Sequence, residues 1–338
     1  MRMVCCLVFL SLTAGALSAQ QAERYAIDGD DVAIYNLAGQ VRLEAGQNTV
    51  AVSVTRGGTE AARLKVAQDD IGGRPTLRIL YPGDQVHYAT DGGNHSSDLR
   101  VRDDGTFGDS DDGDHHRGRD DSHRGRRVTI SSRGGGLDAH ADLRIQVPAG
   151  RRVSMYLAVG KVTVANVSGD LYIDASSAPV AATRFKGTLR IDVGSGLVEV
   201  SQVEGRLSVD TGSGDVTGAD IRGDELSVDT GSGDIRLSGV HAPKISLETG
   251  SGAVTADLRA DVGELSVETG SGDIAITAPP TLGAEVEIET SSGDIETDFP
   301  LQVTRSGHDH VKGRIGDGKG TIAIETGSGG IKLLRRSN

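Results

Sequence analysis

Apolar and polar residues alternate in short runs along most of this chain. Val32, Ile34 and Leu37, then Val41 and Leu43, then Val50, Val52 and Val54 recur at or near every second position, with Gly- or Asp-rich stretches between the runs. A period of two places successive side chains on opposite faces of an extended backbone, so the pattern predicts short β-strands separated by turns. Residues 20–90 therefore read as an N-terminal β region. It is either a separate layer or the first, irregular coils of a solenoid.

From Arg151 onward the alternation becomes a repeat, clearest in LSVDTGSGDV at Leu207, LSVDTGSGDI at Leu226 and LSVETGSGDI at Leu265. Taking the first glycine of TGSG as anchor, the equivalent positions are Ala158, Ser176, Gly194, Gly212, Gly231, Gly250, Gly270, Ser291 and Gly327, spaced by 18, 18, 18, 19, 19, 20, 21 and 36 residues. Aliphatic residues stand five and three positions before each anchor, as in Leu207 and Val209 or Leu226 and Val228, and four after it, as in Val216 and Ile235. Odd offsets before a corner and even offsets after it face the same way, so these residues are the predicted core.

One such coil buries three or four aliphatic side chains worth roughly 1.5–3 kcal/mol each, against about 1–2 kcal/mol of backbone entropy per ordered residue. It cannot fold alone. Stacked coils share strand pairing and core, so the expected fold is all-β: a parallel β-helix or β-solenoid of roughly nine coils of 18–21 residues, preceded by the irregular β region. Glycine in TGSG suits a corner with positive φ. Thr211, Thr230, Thr249, Thr269, Thr290 and Thr326 would form a ladder beside it, their hydroxyls positioned to satisfy turn amides.

Two segments interrupt the pattern. Residues 91–127 are rich in Gly, Asp, Arg and His and nearly free of apolar residues, which predicts a disordered loop. Its His95, His115, His116 and His123 beside Asp109, Asp111, Asp112 and Asp114 are candidate metal ligands, although no regular spacing holds them in a coordination geometry. Residues 300–320, inside the repeat domain 128–338, read as a hairpin excursion or a degenerate coil. The chain then closes with a good unit at Ile322–Leu333 and the Arg335–Arg336 pair, charges that discourage strand pairing at an end.

Composition adds three constraints. The 48 glycines and 3% aromatic content, with no Trp, match many tight turns between strands of small and β-branched residues. A net charge of −13 argues against nucleic acid as a partner. Residues 1–19 carry Arg2, a short apolar run and a small-residue stretch ending at Ala19, the form of a secretory signal too short for a comfortable membrane span. Cys5 and Cys6 both lie within it, so an exported mature chain would have no thiol chemistry.

The sharpest chemical feature is a row of carboxylates two residues before the anchor: Asp174, Asp192, Asp210, Asp229, Glu248, Glu268, Glu289 and Glu325. Asp215, Asp234, Asp273 and Asp294 form a partial second row across the corner. Stacked about 4.8 Å apart, neighbouring charges would repel by somewhat under 1 kcal/mol per pair in water. Either salt screens them as they splay into solvent, the favoured expectation, or Ca²⁺ bridges successive coils with Asp210, Asp229, Glu248, Glu268 and Glu289 as candidate ligands. No other cofactor is expected. Catalysis is not expected either, because the acids follow the repeat, no GxSxG elbow is present, and His241, His308 and His310 read as isolated loop residues. A polysaccharide-active β-helix enzyme and a self-assembling structural polymer are the alternatives.

The LSVDTGSGD-type units, SSGDIETDFP and the closing GRIGDGKGTIAIETGSGGIKL together resemble a bacterial β-strand-repeat family that carries the label adhesin and is a domain of unknown function. The resemblance covers roughly residues 140–334. It implies an exported, non-catalytic β-helical protein, the adhesin label having no ligand attached. Because adhesion or envelope scaffolding needs only a long, rigid exposed face, which the repeat offers, the expected role is an adhesin or scaffold of the periplasm, outer surface or medium with an unknown cell-surface, polysaccharide or protein ligand. The family has no established functional residues to carry over.

Overall fold

The computed structural model describes residues 22–89, 96–108 and 125–337. Among these the chain is all-β, with a single 3-10 turn at Ala61–Arg63 and no helix long and apolar enough to cross a membrane. The expected signal segment lies outside the described residues.

The repeat folds as parallel rungs in register. The strand Val180–Ser195 lies beside Val198–Ser213 with Leu189 against Leu207, Ile191 against Val209 and Asp192 against Asp210. The next rung repeats this one step on, setting Leu207 against Leu226 and Val209 against Val228. The aliphatic residues before each anchor are all buried, as are those after it from Val162 to Ile274 and at Ile331. They form one continuous cluster with the N-terminal strands, so there is a single core. Ile295 departs from the expectation. It is partly exposed because its strand, Ile295–Thr297, is short and pairs on one side only among the described residues.

Each corner is built from backbone. Gly214 has φ +145°, and a methyl group there would lie 2.2 Å from the carbonyl oxygen of Gly196 in the rung before it. The threonine ladder works in the opposite sense to that expected. The hydroxyls of Thr249, Thr269 and Thr326 donate to the carbonyls of Gly233, Gly252 and Gly272, each at 3.1 Å, rather than accepting from amides. Parallel pairing already occupies the amides, so the carbonyl at each corner is what remains to be satisfied.

A second corner carries an unexpected column. Asn166, Arg184, Gln202 and Asp220 all have φ between 53° and 58°, and the next rung has Gly239 at 69°. Side chains in this region cost roughly 1–2 kcal/mol, whereas glycine's extra chain entropy costs about 0.5–1 kcal/mol. Gln202→Gly should therefore raise stability by about 0.5–1 kcal/mol, read as a higher denaturation midpoint at unchanged slope.

The two ends were not legible as such. Asp31–Ala45 is the first rung, parallel to Arg151–Ala165 from Asp31 through Glu44. Beyond it Arg74–Leu80 pairs with its first half and His140–Val147 with its second. Antiparallel strands then close this end: Lys65–Ile71 on Arg74–Leu80, Val50–Gly57 on His140–Val147, and Glu23–Ile27 outermost. Asn36 is fully buried here, donating to the carbonyl of Ala141 at 2.8 Å and accepting from the Tyr81 hydroxyl at 2.8 Å. Burial holds the Tyr81 phenol well above its ordinary pKa.

At the other end the rungs do not stack in chain order. Gly320–Thr326 sits between Glu264–Thr269 and Ala284–Thr290, pairing with both. The last unit of the sequence is thus an interior rung, and the expectation that Arg335 and Arg336 terminate the stack is corrected. Arg336 instead pairs with Asp257 and donates to the carbonyl of Leu258 at 2.9 Å. The true end is the excursion, an antiparallel hairpin of Leu301–Ser306 and His310–Ile315 whose second strand lies antiparallel on Ala284–Thr290. The excursion therefore pairs antiparallel, as a hairpin does, rather than as a further coil.

The loop expected to be disordered is partly structured. Ser96–Val101 pairs antiparallel with Arg126–Ser131, which also joins Gln85–His87, and Val101 and Phe107 are buried. Alternation of Leu99 and Val101 was enough to make a strand amid charged neighbours. Residues 91–95 and 109–124, with the candidate ligands His95, His115, His116 and His123, lie outside the described residues.

Candidate functional site

Register turns the carboxylate pattern into a physical line. Asp174 stands against Asp192, then follow Asp210, Asp229, Glu248 and Glu268. Because the last unit inserts, Glu325 comes before Glu289, and His310 of the cap faces Glu289. From Asp210 to Glu289 these side chains are exposed.

Aromatic residues take over at the N-terminal end. Tyr156 is the register partner of Asp174, and Tyr35 that of Tyr156. The Tyr35 and Tyr156 rings stack at 4.3 Å and 4°, with Phe107 edge-on to Tyr35 at 5.6 Å. Burial and the neighbouring Tyr156 hold the Tyr35 phenol well above its ordinary pKa. Gly108 packs so closely that a methyl there would meet Asp174 Oδ2 at 2.4 Å, so the turn carrying Phe107 covers this end of the row. At the other end His310 Nδ1 lies 2.8 Å from Glu289 Oε1. The sequence reading of His310 as an isolated loop residue is corrected, since antiparallel pairing brings it across to the row.

Electrostatics follow from this geometry. Burial and the Asp229 charge raise the pKa of Asp210, while Asp229, burial and Glu268 raise that of Glu248. A carboxylate whose folded pKa is raised contributes stability that is complete below its unfolded pKa and is lost as pH rises through the folded pKa. The double variant Asp210→Asn, Glu248→Gln should thus gain on the parent as pH rises from about 4 to 7, read as the difference between their melting temperatures at each pH. Other carboxylates move the opposite way, so only this difference isolates the row.

The second row has a structural role. Asp215 Oδ1 accepts from the backbone N–H of Asp234 at 2.9 Å, Asp234 Oδ1 from that of Ala253 at 2.8 Å, and Asp273 Oδ1 from that of Gly330 at 2.8 Å. Each of these three acids caps the turn of the next rung, and the bond to Asp234 N–H, followed by Arg236, depresses the Asp215 pKa. This column was legible as a row of acids but not as caps, because the acceptor's partner lies a full rung away.

Of the candidate metal ligands, the structure places Asp210, Asp229, Glu248 and Glu268 in single file. Only Glu289 joins a compact group. Among the described residues, Glu287, Glu289 and His310 are the three whose potential ligand atoms lie within 4.8 Å of one another. Lys312 already pairs with Glu287 at 2.9 Å. A file of carboxylates can attract a diffuse cation layer or be bridged pairwise by a hard cation. Monovalent salt at matched ionic strength should raise the melting temperature as much as calcium chloride does. Specific bridging would instead give a calcium-only gain, about 2.7 kcal/mol at a hundredfold excess over the dissociation constant, abolished by neutralising Asp210, Asp229 and Glu248 together.

A model of the Toastrack family, DUF4097, matches residues 113–334. No curated protein matches the chain. Among solved structures, a cell-adhesion candidate from Clostridium sporogenes is 11% identical over 94% of this chain and 99% of its own, with a TM-score of 0.22. An adhesin candidate from Parabacteroides merdae is 9% identical over 94% and 96%, with a TM-score of 0.35. A lipid-binding candidate from Parabacteroides distasonis is 12% identical over 94% and 96%, also at 0.35.

Proposed function

This chain belongs to the Toastrack family, and from that premise we propose that it is an exported, non-catalytic β-solenoid that serves as a rigid binding scaffold of the cell envelope. One observation carries the reading: from Asp174 to Glu289 the acids stay in unbroken register on the outside while the aliphatic residues stay inside, so the repeat's chemistry serves stacking and display. Catalysis asks for a different arrangement, an acid, base or nucleophile aimed at one point by supporting groups. A stack of rungs is stiff along its axis and holds its outer residues at fixed spacing, which suits recognition of an extended surface.

The polymer alternative is countered by the cap. Leu301–Ser306 is an outer strand with Val303 half exposed, but it shifts register between Val303 and Arg305 and carries an arginine, both features that discourage strand addition. Fractionation of the native host tests the proposal. The protein should appear in the envelope or medium and, if on the outer surface, be degraded by protease added to whole cells. A cytosolic pool released only by lysis would overturn it.

A further inference from the structure

The TGSGD pattern lacks its acid in several units, and where three of them follow one another the structure forms a groove. Three residues after the anchor, where the later units have the capping acids Asp215, Asp234 and Asp273, the three early rungs have Lys161, Pro179 and Leu197. These positions give up a backbone-capping bond that the later rungs use. With Tyr88, His140 and Asp142 from the N-terminal cap as the facing wall, they line a cavity of about 710 Å³. Such a volume is typical of sites for small ligands.

We propose that this groove binds an acidic saccharide, a short hexose chain bearing a carboxylate. The inference deepens the envelope-scaffold reading and rests on it. The floor is backbone: a methyl on Gly160, at φ +149°, would lie 1.8 Å from the carbonyl oxygen of Gly39, so the rungs meet with no side chain between them. Along that floor Gln40, Lys161, Pro179 and Leu197 follow one another rung by rung, spanning about 14 Å at the usual strand spacing. Leu197 is 41% exposed and follows Pro179 as a second apolar step of this turn column. The Tyr88 ring lies 5.1 Å from that of His140 at 52° and offers an aromatic wall. Apolar steps, an aromatic wall and interspersed hydrogen-bonding groups match a sugar ring, which has C–H faces and a hydroxyl rim.

Charge selects the acid. Lys161 is the contact for the acid, because it is exposed and forms no ion pair among the described residues, while Asp142 keeps its charge and is anchored by the backbone N–H of Gln40 at 2.8 Å, free to accept from sugar hydroxyls. Other ligand classes fit less well. The groove strands Arg151–Ala165, Ser168–Ser177 and Val180–Ser195 each pair on both sides, leaving no edge for an added peptide strand. An alkyl chain would desolvate Lys161, Asp142 and His140.

Isothermal titration of the purified chain with tetragalacturonate and with a hyaluronan tetrasaccharide, beside the neutral methyl ester of the first, tests the assignment. At least one acidic probe should bind, more tightly than the ester. Lys161→Gln should weaken the acid about fivefold and leave the ester unchanged. Tyr88→Ala should weaken both about tenfold, and Lys186→Gln on another corner should change neither. Failure of both acids to bind, equal affinity for acid and ester, or indifference to Lys161→Gln overturns the proposal. Lys161 is a surface residue, so its variant remains informative should Tyr88→Ala fold poorly. An envelope location found with no sugar binding would sink the groove assignment alone, whereas a cytosolic location would sink the scaffold reading.

Discussion

Val228→Asp should destabilise the fold by about 4 kcal/mol or more, a large part of the 5–15 kcal/mol by which domains are ordinarily stable. Val228 is 1% exposed and lies between Val209 and Leu247 in adjacent rungs. A carboxylate there has aliphatic neighbours on both sides and no partner, so it must either stay charged in a poor medium or take up a proton. The neighbouring change Asp229→Asn should be neutral or slightly stabilising, because that side chain faces outward between Asp210 and Glu248 and its charge repels both. Urea denaturation of the two variants checks the register directly. Equal losses would mean that inward and outward faces are misassigned.

The second large effect is expected at the corner. Gly214→Ala should cost about 3 kcal/mol or more, combining a collision with the Gly196 carbonyl and a backbone angle that side chains rarely adopt. Gly72→Ala separates the two causes. It also has positive φ, at 63°, but a methyl there meets nothing within 4 Å, so only about 1 kcal/mol should be lost. Similar losses in the two variants would show that rungs can part to admit a methyl, and that the corner is less tightly stacked than its geometry requires.

The candidate site divides along the same line. The carboxylate row was readable because its members occupy one offset in every unit, and a shared offset becomes a shared column once strands pair in parallel. Its ends were not. Phe107 and His310 reach the row from segments outside the repeat, through an aromatic contact and an antiparallel pairing that no local spacing announces. The groove was equally hidden, because Tyr88 and His140 face Lys161 and Leu197 only after the N-terminal strands have closed over the first rung.

What the chain determines by itself is local. Alternation of period two decides which side chains point inward, a recurring TGSG decides where the backbone turns, and together they imply rungs that bury Leu207, Val209 and Val216 and display Asp210. What the tertiary structure alone decided is order. From Thr211 onward the units present nearly the same backbone edge and the same threonine, so Glu264–Thr269 can accept either Ala284–Thr290 or Gly320–Thr326 as its neighbour. The 21-residue spacing from Gly270 to Ser291, the longest before the excursion, supplies slack for the chain to climb two rungs rather than one. The late strand then fills the gap with hydrogen bonds on both of its edges, and the hairpin covers the edge left on Ala284–Thr290. Satisfying the most edges selects that arrangement. Edge satisfaction is a property of the whole stack, so no single repeat could encode it.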